Sequence, residues 1–269
     1  MTENTITFAG SMPQHYHEGL GPMFFEPYAR DVASRLTLSP GARVLELAAG
    51  TGIVTRHLLA RLPDDGELVA TDLGEPMLTV LRANVPPDRR LTTEIADACA
   101  LSFDAGQFHA VVCQFGLMFF ADKVGALAHM RRVAKPGRPV LVSVWGSLAE
   151  NPIAAIAHEA IGSFFPADPP LFYNTPFGLH DEAVVRGFFT GAGFSEVICD
   201  TVDVIGESAS PALAARGLVS GSPVGAQIAQ RDASKLPEIT DAVAARLHIA
   251  GGATPMRLPM RARVFTARA

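Results

Sequence analysis

Three carboxylates close three apolar runs in the first hundred residues: Glu46 in VLELAAGTG, Asp72 in ELVATD and Asp97 in LTTEIAD. Their positions suit different ligand groups. Glu46 sits within its run, just before the side chains shrink to Ala48, Ala49, Gly50, Thr51 and Gly52. An acid there fits a ligand with a cationic part, and glycines allow close backbone approach because they carry no Cβ. Asp72 follows about 20 residues on, where a carboxylate can accept from two ribose hydroxyls. Asp97 can accept from an exocyclic amine such as that of adenine, while the backbone N–H of Ala98 donates to a ring nitrogen. Each residue also has a plainer role, as a tight turn, a helix cap or a turn aspartate. It is their succession at three strand ends that describes a nucleoside pocket.

The pocket makes no provision for phosphate. Counting from Ala48 the loop reads A-x-G-x-G with Ile53 next, not the G-x-G-x-x-G of dinucleotide sites, and no Gly-Lys-Ser/Thr occurs. A ligand with adenine, ribose, an ammonium and no phosphate fits: S-adenosylmethionine. Transfer of its methyl group to a hydroxyl or amine also calls for a general base. The candidates are His15, His17, His180, Tyr16 and Tyr173. His15 and His17 lead, since they flank Tyr16 in the N-terminal segment; a solvated or core-satisfied side chain is the plainer role of each.

These residues need elements to hold them. Strands and helices alternate. Strands are expected at 42–48, 67–72, 91–97, 108–115 and 138–145, and helices at 22–37, 51–62, from Pro76, and 122–134. Such strand–helix–strand units predict a parallel sheet with helices on both faces. After about Gly146 the rhythm changes. Helices are expected at 151–165 and in DEAVVRGFFTGAGF, a strand at 195–205, Ala-rich helix over 209–249, and a last strand in PMRARVFTARA. Phe164, Phe165, Phe172, Tyr173 and Phe177 lie in a Pro/aromatic stretch that could line an apolar acceptor cavity or form core.

Composition narrows the classes. With 269 residues, 48% of them hydrophobic, the chain can bury a sizeable core. The formal net charge of −5 disfavours bulk nucleic-acid binding. The three cysteines, Cys99, Cys113 and Cys199, have neither metal nor disulfide spacing and read as reduced thiols of a cytoplasmic protein. No apolar run predicts membrane insertion, and the N-terminus does not read as a secretory leader.

VLELAAGTG, ATDLGEPML, ADACALSF, FHAVVCQFGLMFF and RRVAKPGRPVLVSVW together resemble the class I S-adenosylmethionine-dependent methyltransferases of the ubiquinone/menaquinone-biosynthesis-like small-molecule group, over about residues 15–146. The resemblance implies a Rossmann-like, seven-stranded, mostly parallel sheet with an antiparallel last strand, in three α/β/α layers with a helical cap. The expected organisation is a helical lid over 1–40, a cofactor-binding half over 41–146, and a C-terminal half of the sheet with cap insertions over 147–269 of one domain.

The resemblance also implies residue roles. Glu46 would reach the methionine ammonium, with Gly50, Thr51 and Gly52 beside the methionyl part. Asp72 would hold the ribose, and Leu73 and Met77 would line the adenosine. Asp97, Ala98 and Cys99 would meet the adenine, Gln114 would lie near the methyl, and Tyr16 would fold over the cofactor. Where the family often has glycine, this chain has Ala48, which brings a methyl to the methionine end. The expected acceptor is a small molecule, with neither nucleic acid nor membrane as partner; a homodimer is compatible with these residues. The alternatives are an NAD-type oxidoreductase and a non-catalytic S-adenosylmethionine-binding protein.

Overall fold

The structure, a computed structural model, describes residues 12–269. Residues 1–11 of the expected lid lie outside the described residues. Seven strands form one sheet: β1 Arg43–Leu47, β2 Glu67–Asp72, β3 Leu91–Ile95, β4 Ala110–Gln114, β5 Pro139–Trp145, β6 Val197–Ser208 and β7 Met256–Arg268, in the order β3-β2-β1-β4-β5-β7-β6. The helices are α1 Met12–His15, α2 Glu26–Ser34, α3 Ile53–Arg61, α4 Glu75–Asn84, α5 Lys123–Val133, α6 Pro152–Ser163, α7 Asn174–Gly178, α8 Glu182–Gly191, α9 Pro211–Ser220, α10 Val224–Asp232 and α11 Leu236–Gly251.

β1 pairs in parallel with β2 and β4, β2 with β3, and β4 with β5. β7 runs antiparallel to β5, with Pro139 opposite Arg268 and Trp145 opposite Ala262. β1 and β4 are buried almost throughout, as strands covered on both faces must be. Parallel strands need right-handed crossovers. The chain steps outward from β1 to β3 in one direction and from β4 to β5 in the other, so α3 and α4 cover one face and α5 the opposite one. This is the expected Rossmann-like arrangement.

The chain divides into two compact units. One holds residues 28–145, 179–202 and 262–269, and so β1 to β5 with most of β7. The other holds 146–178, 203–261 and the described residues up to 27. It contains α1, α6, α7, α9, α10 and α11. Strands β6 and β7 each run from one unit into the other.

One expectation needs correction. The helix expected over 22–37 begins earlier and is not uniform: α1 leads into a π-helix, Tyr16–Phe25, that contains Pro22, and α2 follows. Proline has no N–H for the α-helical ladder and its ring crowds the carbonyl four residues back, so a wider turn accommodates it. The Ala-rich stretch 209–249 is helical, as expected, in three α-helices broken around Gly221–Pro223 and again near Asp232. No helix among the described residues is long and apolar enough to cross a membrane.

Candidate functional site

The strand order reverses between β1 and β4. Ligands of open parallel sheets bind beyond the carboxyl ends of the strands at such a point. Glu46, the 48–52 loop, Asp72 and Gln114 all lie at or near these strand ends.

Glu46 is buried, and its Oε2 accepts from the Thr55 hydroxyl in the first turn of α3 at 2.7 Å. Burial pushes its carboxyl up to about 8; the Thr55 bond opposes this and the Asp72 charge adds to it. With no cation among the described residues to oppose it, burial favours the protonated form of this acid. Thr55 escaped the sequence reading. Its one signal is its place in the first turn of the helix that follows the glycine loop.

Asp72 is fastened by the backbone on both sides. Gly50 N–H donates to Oδ2 and Gly74 N–H to Oδ1, each at 2.9 Å. Burial raises its carboxyl above the usual range, and the backbone amides of Gly74, Gly50 and Leu73 hold it down. Each oxygen keeps a lone pair for a ligand hydroxyl. The carboxylate thus ties the loop after β1 to the end of β2 as well as facing outward.

The two glycines of the loop differ. Gly50 has φ +56°, and a Cβ built on it meets nothing within 4 Å. Gly52 has φ +87°, and a Cβ there would lie 2.8 Å from both Leu81 and Val85 on and just after α4. The space beside Gly52 is thus taken by helix packing, while that beside Gly50 is open. Thr51 is buried.

Asp97 is exposed and accepts from Cys99 N–H at 2.8 Å, so it also shapes its own turn. Ala98 and Met77 are buried, and the Cys99 thiol, pushed up by burial, lies 3.5 Å from the Asp122 carbonyl. Leu73 is 62% exposed and Ile95, which Asp72 faces in register, 58%. Two large apolar side chains thus stand in solvent at neighbouring strand ends. The sequence reading had Leu73 and missed Ile95, because the end of an edge strand gives no periodic signal.

Further residues at the β4 and β5 ends went unread. Phe115 and Trp145 stack with ring centroids 3.6 Å apart, and Tyr28 meets them edge-on at 5.4 and 5.3 Å. The signal available was the lone tryptophan closing the fifth strand.

The proposed bases belong largely to the other unit. Tyr16 stacks on Phe25 at 4.8 Å, with His15 and His17 beside it in sequence, and the Nδ1 of His15 is buried without a hydrogen-bond partner. Tyr173 is corrected as a base: its buried hydroxyl donates to the Leu218 carbonyl at 2.9 Å, and burial drives its pKa up. Phe172, Tyr173 and Phe177 pack on one another as buried core, while Lys235 lies over the rings of Phe164 and Phe165. His180 is exposed. An open groove of about 480 Å³ lies among residues such as Glu150, Asp203 and Met260, and there Arg261 is already bound by Asp203 and Glu150. Among the described residues no group of three or more His, Cys, Asp or Glu could hold a metal.

Comparison with known proteins shows what these strand ends are similar to. Residues 44–137 match the family described as a methyltransferase domain. Over 120 residues the chain is 39% identical to the ubiquinone/menaquinone biosynthesis C-methyltransferase of Burkholderia vietnamiensis, covering 43% of this chain and 49% of that protein. The chain thus spans about half the length of the curated relatives it matches. Among solved structures, the phosphoethanolamine N-methyltransferase 2 of Haemonchus contortus, in complex with S-adenosyl-L-methionine, superposes with a TM-score of 0.60 at 17% identity, over 95% of this chain and 56% of that one. The cyclase SpnF does so at 0.58 and 18%, over 90% and 80%. Both share the fold, which therefore hosts more than one chemistry.

Proposed function

We propose that the protein is an S-adenosylmethionine-dependent methyltransferase acting on a small-molecule acceptor. The observation that carries this is the set of three strand ends within the matched methyltransferase segment: buried Glu46 behind an open Gly50, Asp72 with lone pairs to spare, and Asp97–Ala98 beside exposed Leu73 and Ile95. The cofactor supplies an activated methyl on its sulfonium. The residues bind and orient it. Asp72 takes the ribose hydroxyls, Leu73 and Ile95 flank the adenine, Asp97 and the Ala98 N–H meet its edge, and Glu46 balances the ammonium directly or through water. Met77, Cys99, Thr51 and Gln114 complete the lining. Orientation and exclusion of water then carry most of an in-line transfer. Where the acceptor needs a base, His15 and His17, which flank Tyr16, are the proposed candidates.

Titration with S-adenosylmethionine, S-adenosylhomocysteine and NAD tests the site. Heat with the first two and none with NAD supports the reading; the reverse makes the protein an oxidoreductase. Transfer of labelled methyl to a metabolite panel then tests catalysis. Tight binding without any labelled product would make it a binding protein.

A further inference from the structure

Ala48 and Phe115 are the two residues other than glycine with positive φ among the described residues, at +52° and +55°. They leave neighbouring strands: Ala48 follows β1, Phe115 follows β4, and Leu47 faces Cys113 in register. A left-handed backbone is strained for a side-chain-bearing residue, and it persists only where the surroundings over-determine it. Here they do. Phe115 N–H donates to the Ser143 carbonyl at 3.0 Å, and its ring lies flat on Trp145 with Tyr28 edge-on to both. Stacked and edge-on aromatic pairs are favourable beyond burial alone, so this packing opposes the backbone strain.

The turn at Phe115 delivers Gly116 against Ala48. A Cβ built on Gly116 would lie 2.6 Å from the Cβ of Ala48, 2.8 Å from the Cys113 sulfur and 3.3 Å from the Phe120 ring. Gly116 itself has φ −99°, which any residue adopts. It is glycine because the Ala48 methyl and its neighbours occupy the space, not because its backbone demands it. The methyl on one strand exit thus fits the missing side chain on the other.

We infer that Ala48 and Gly116 form an interlock, held in place by the Phe115–Trp145 stack, that sets the β1 loop against the β4 exit and so positions the amino-acid end of the bound cofactor. The inference rests on the proposed function, because that reading puts the amino-acid end beside Glu46 and the 48–52 loop. The adenosine end rests on Asp72, Leu73 and Asp97, of which Asp72 is joined to the same loop through the Gly50 N–H. Ala48 and Gly116 are positioning residues, and the consequence is graded: disturbing them changes recognition of the amino-acid portion more than that of the nucleoside.

The experiment measures affinity of the full chain for S-adenosylhomocysteine and for methylthioadenosine, which lacks the amino-acid portion, in wild type, G116A, A48G and A48G/G116A. The expected result is an about tenfold or greater loss for S-adenosylhomocysteine in G116A, with a clearly smaller loss for methylthioadenosine. Adding A48G, which removes the closest of the contacts, restores about threefold or more. Fluorescence of Trp145, the chain's one tryptophan, reads the stack in the same samples and should shift in G116A and return in the double variant. Equal losses for both ligands, or no recovery in the double variant, overturn the interlock. If G116A does not fold, the double variant decides: a folded A48G/G116A that binds supports the pairing, and one that also fails to fold overturns it. Wild type that binds neither ligand refutes the proposed function instead, a separate outcome.

Discussion

At the scale of single residues, the site is governed by two acids, buried Glu46 and half-buried Asp72. Glu46 and Asp72 both have carboxyls raised above their ordinary range, chiefly by burial. Linkage fixes the sign. Between the unfolded carboxylate value, about 4, and the folded value of about 8 for Glu46, the folded state holds more protons than the unfolded one. Stability is therefore greatest below the lower value, falls as pH rises through the window, and levels off above it. Denaturant melts from pH 4 to 9 should show this decline, and E46Q, which mimics the protonated acid, should flatten it in large part. The same logic applies to ligand binding. An ammonium requires ionised Glu46, so affinity for S-adenosylhomocysteine should rise toward pH 8 in the wild type more steeply than in E46Q. At Asp72 two roles coincide. D72N places an amide N–H₂ where Gly50 or Gly74 now donates, so it should cost about 1–3 kcal/mol of stability as well as ligand affinity; uptake left intact would remove Asp72 from the ribose.

At the scale of elements, the two loop glycines give opposite expectations. G52A drives a methyl into Leu81 and Val85 at a left-handed backbone, so it should lower the melting temperature, with a loss of about 1–3 kcal/mol. G50A meets nothing within 4 Å. It keeps the strain of a left-handed alanine, about 1–2 kcal/mol, and should weaken the cofactor more than it weakens the fold. Thermal melts with and without S-adenosylhomocysteine separate the two. From the sequence both residues read alike, because G-x-G describes backbone freedom and not what stands opposite. The strands themselves were legible, since β1 and β4 are apolar runs ended by small or polar residues. The break at Pro22 was not, because a wide helical turn preserves an apolar face while changing its register.

At the scale of the whole molecule, the connectivity decides what can be removed. The chain passes between its two compact units at Pro27/Tyr28, Trp145/Gly146, Gly178/Leu179, Val202/Asp203 and Arg261/Ala262, so no single cut separates them. The last segment matters most for the sheet. Residues 262–268 pair along the whole of β5 from Pro139 to Trp145 and stand between β5 and β6. A chain ending at Arg261 would leave β5 an open edge with buried side chains on both faces. It should lose its cooperative thermal transition by circular dichroism, despite keeping every residue of the matched methyltransferase segment.

The amino-acid sequence by itself determined the alternation of strand and helix, the acids closing three strands, and the absence of a phosphate fingerprint. These are local matters of periodicity, spacing and residue type. Only the tertiary structure decided that Glu46 is shut in with Thr55, that Gly52 serves α4 while Gly50 stays open, that Tyr173 is tied to a carbonyl, and that Ala48 meets Gly116. Each of these depends on which distant atoms share a space, and a one-dimensional pattern does not contain the distance between two strand ends that lie more than sixty residues apart along the chain.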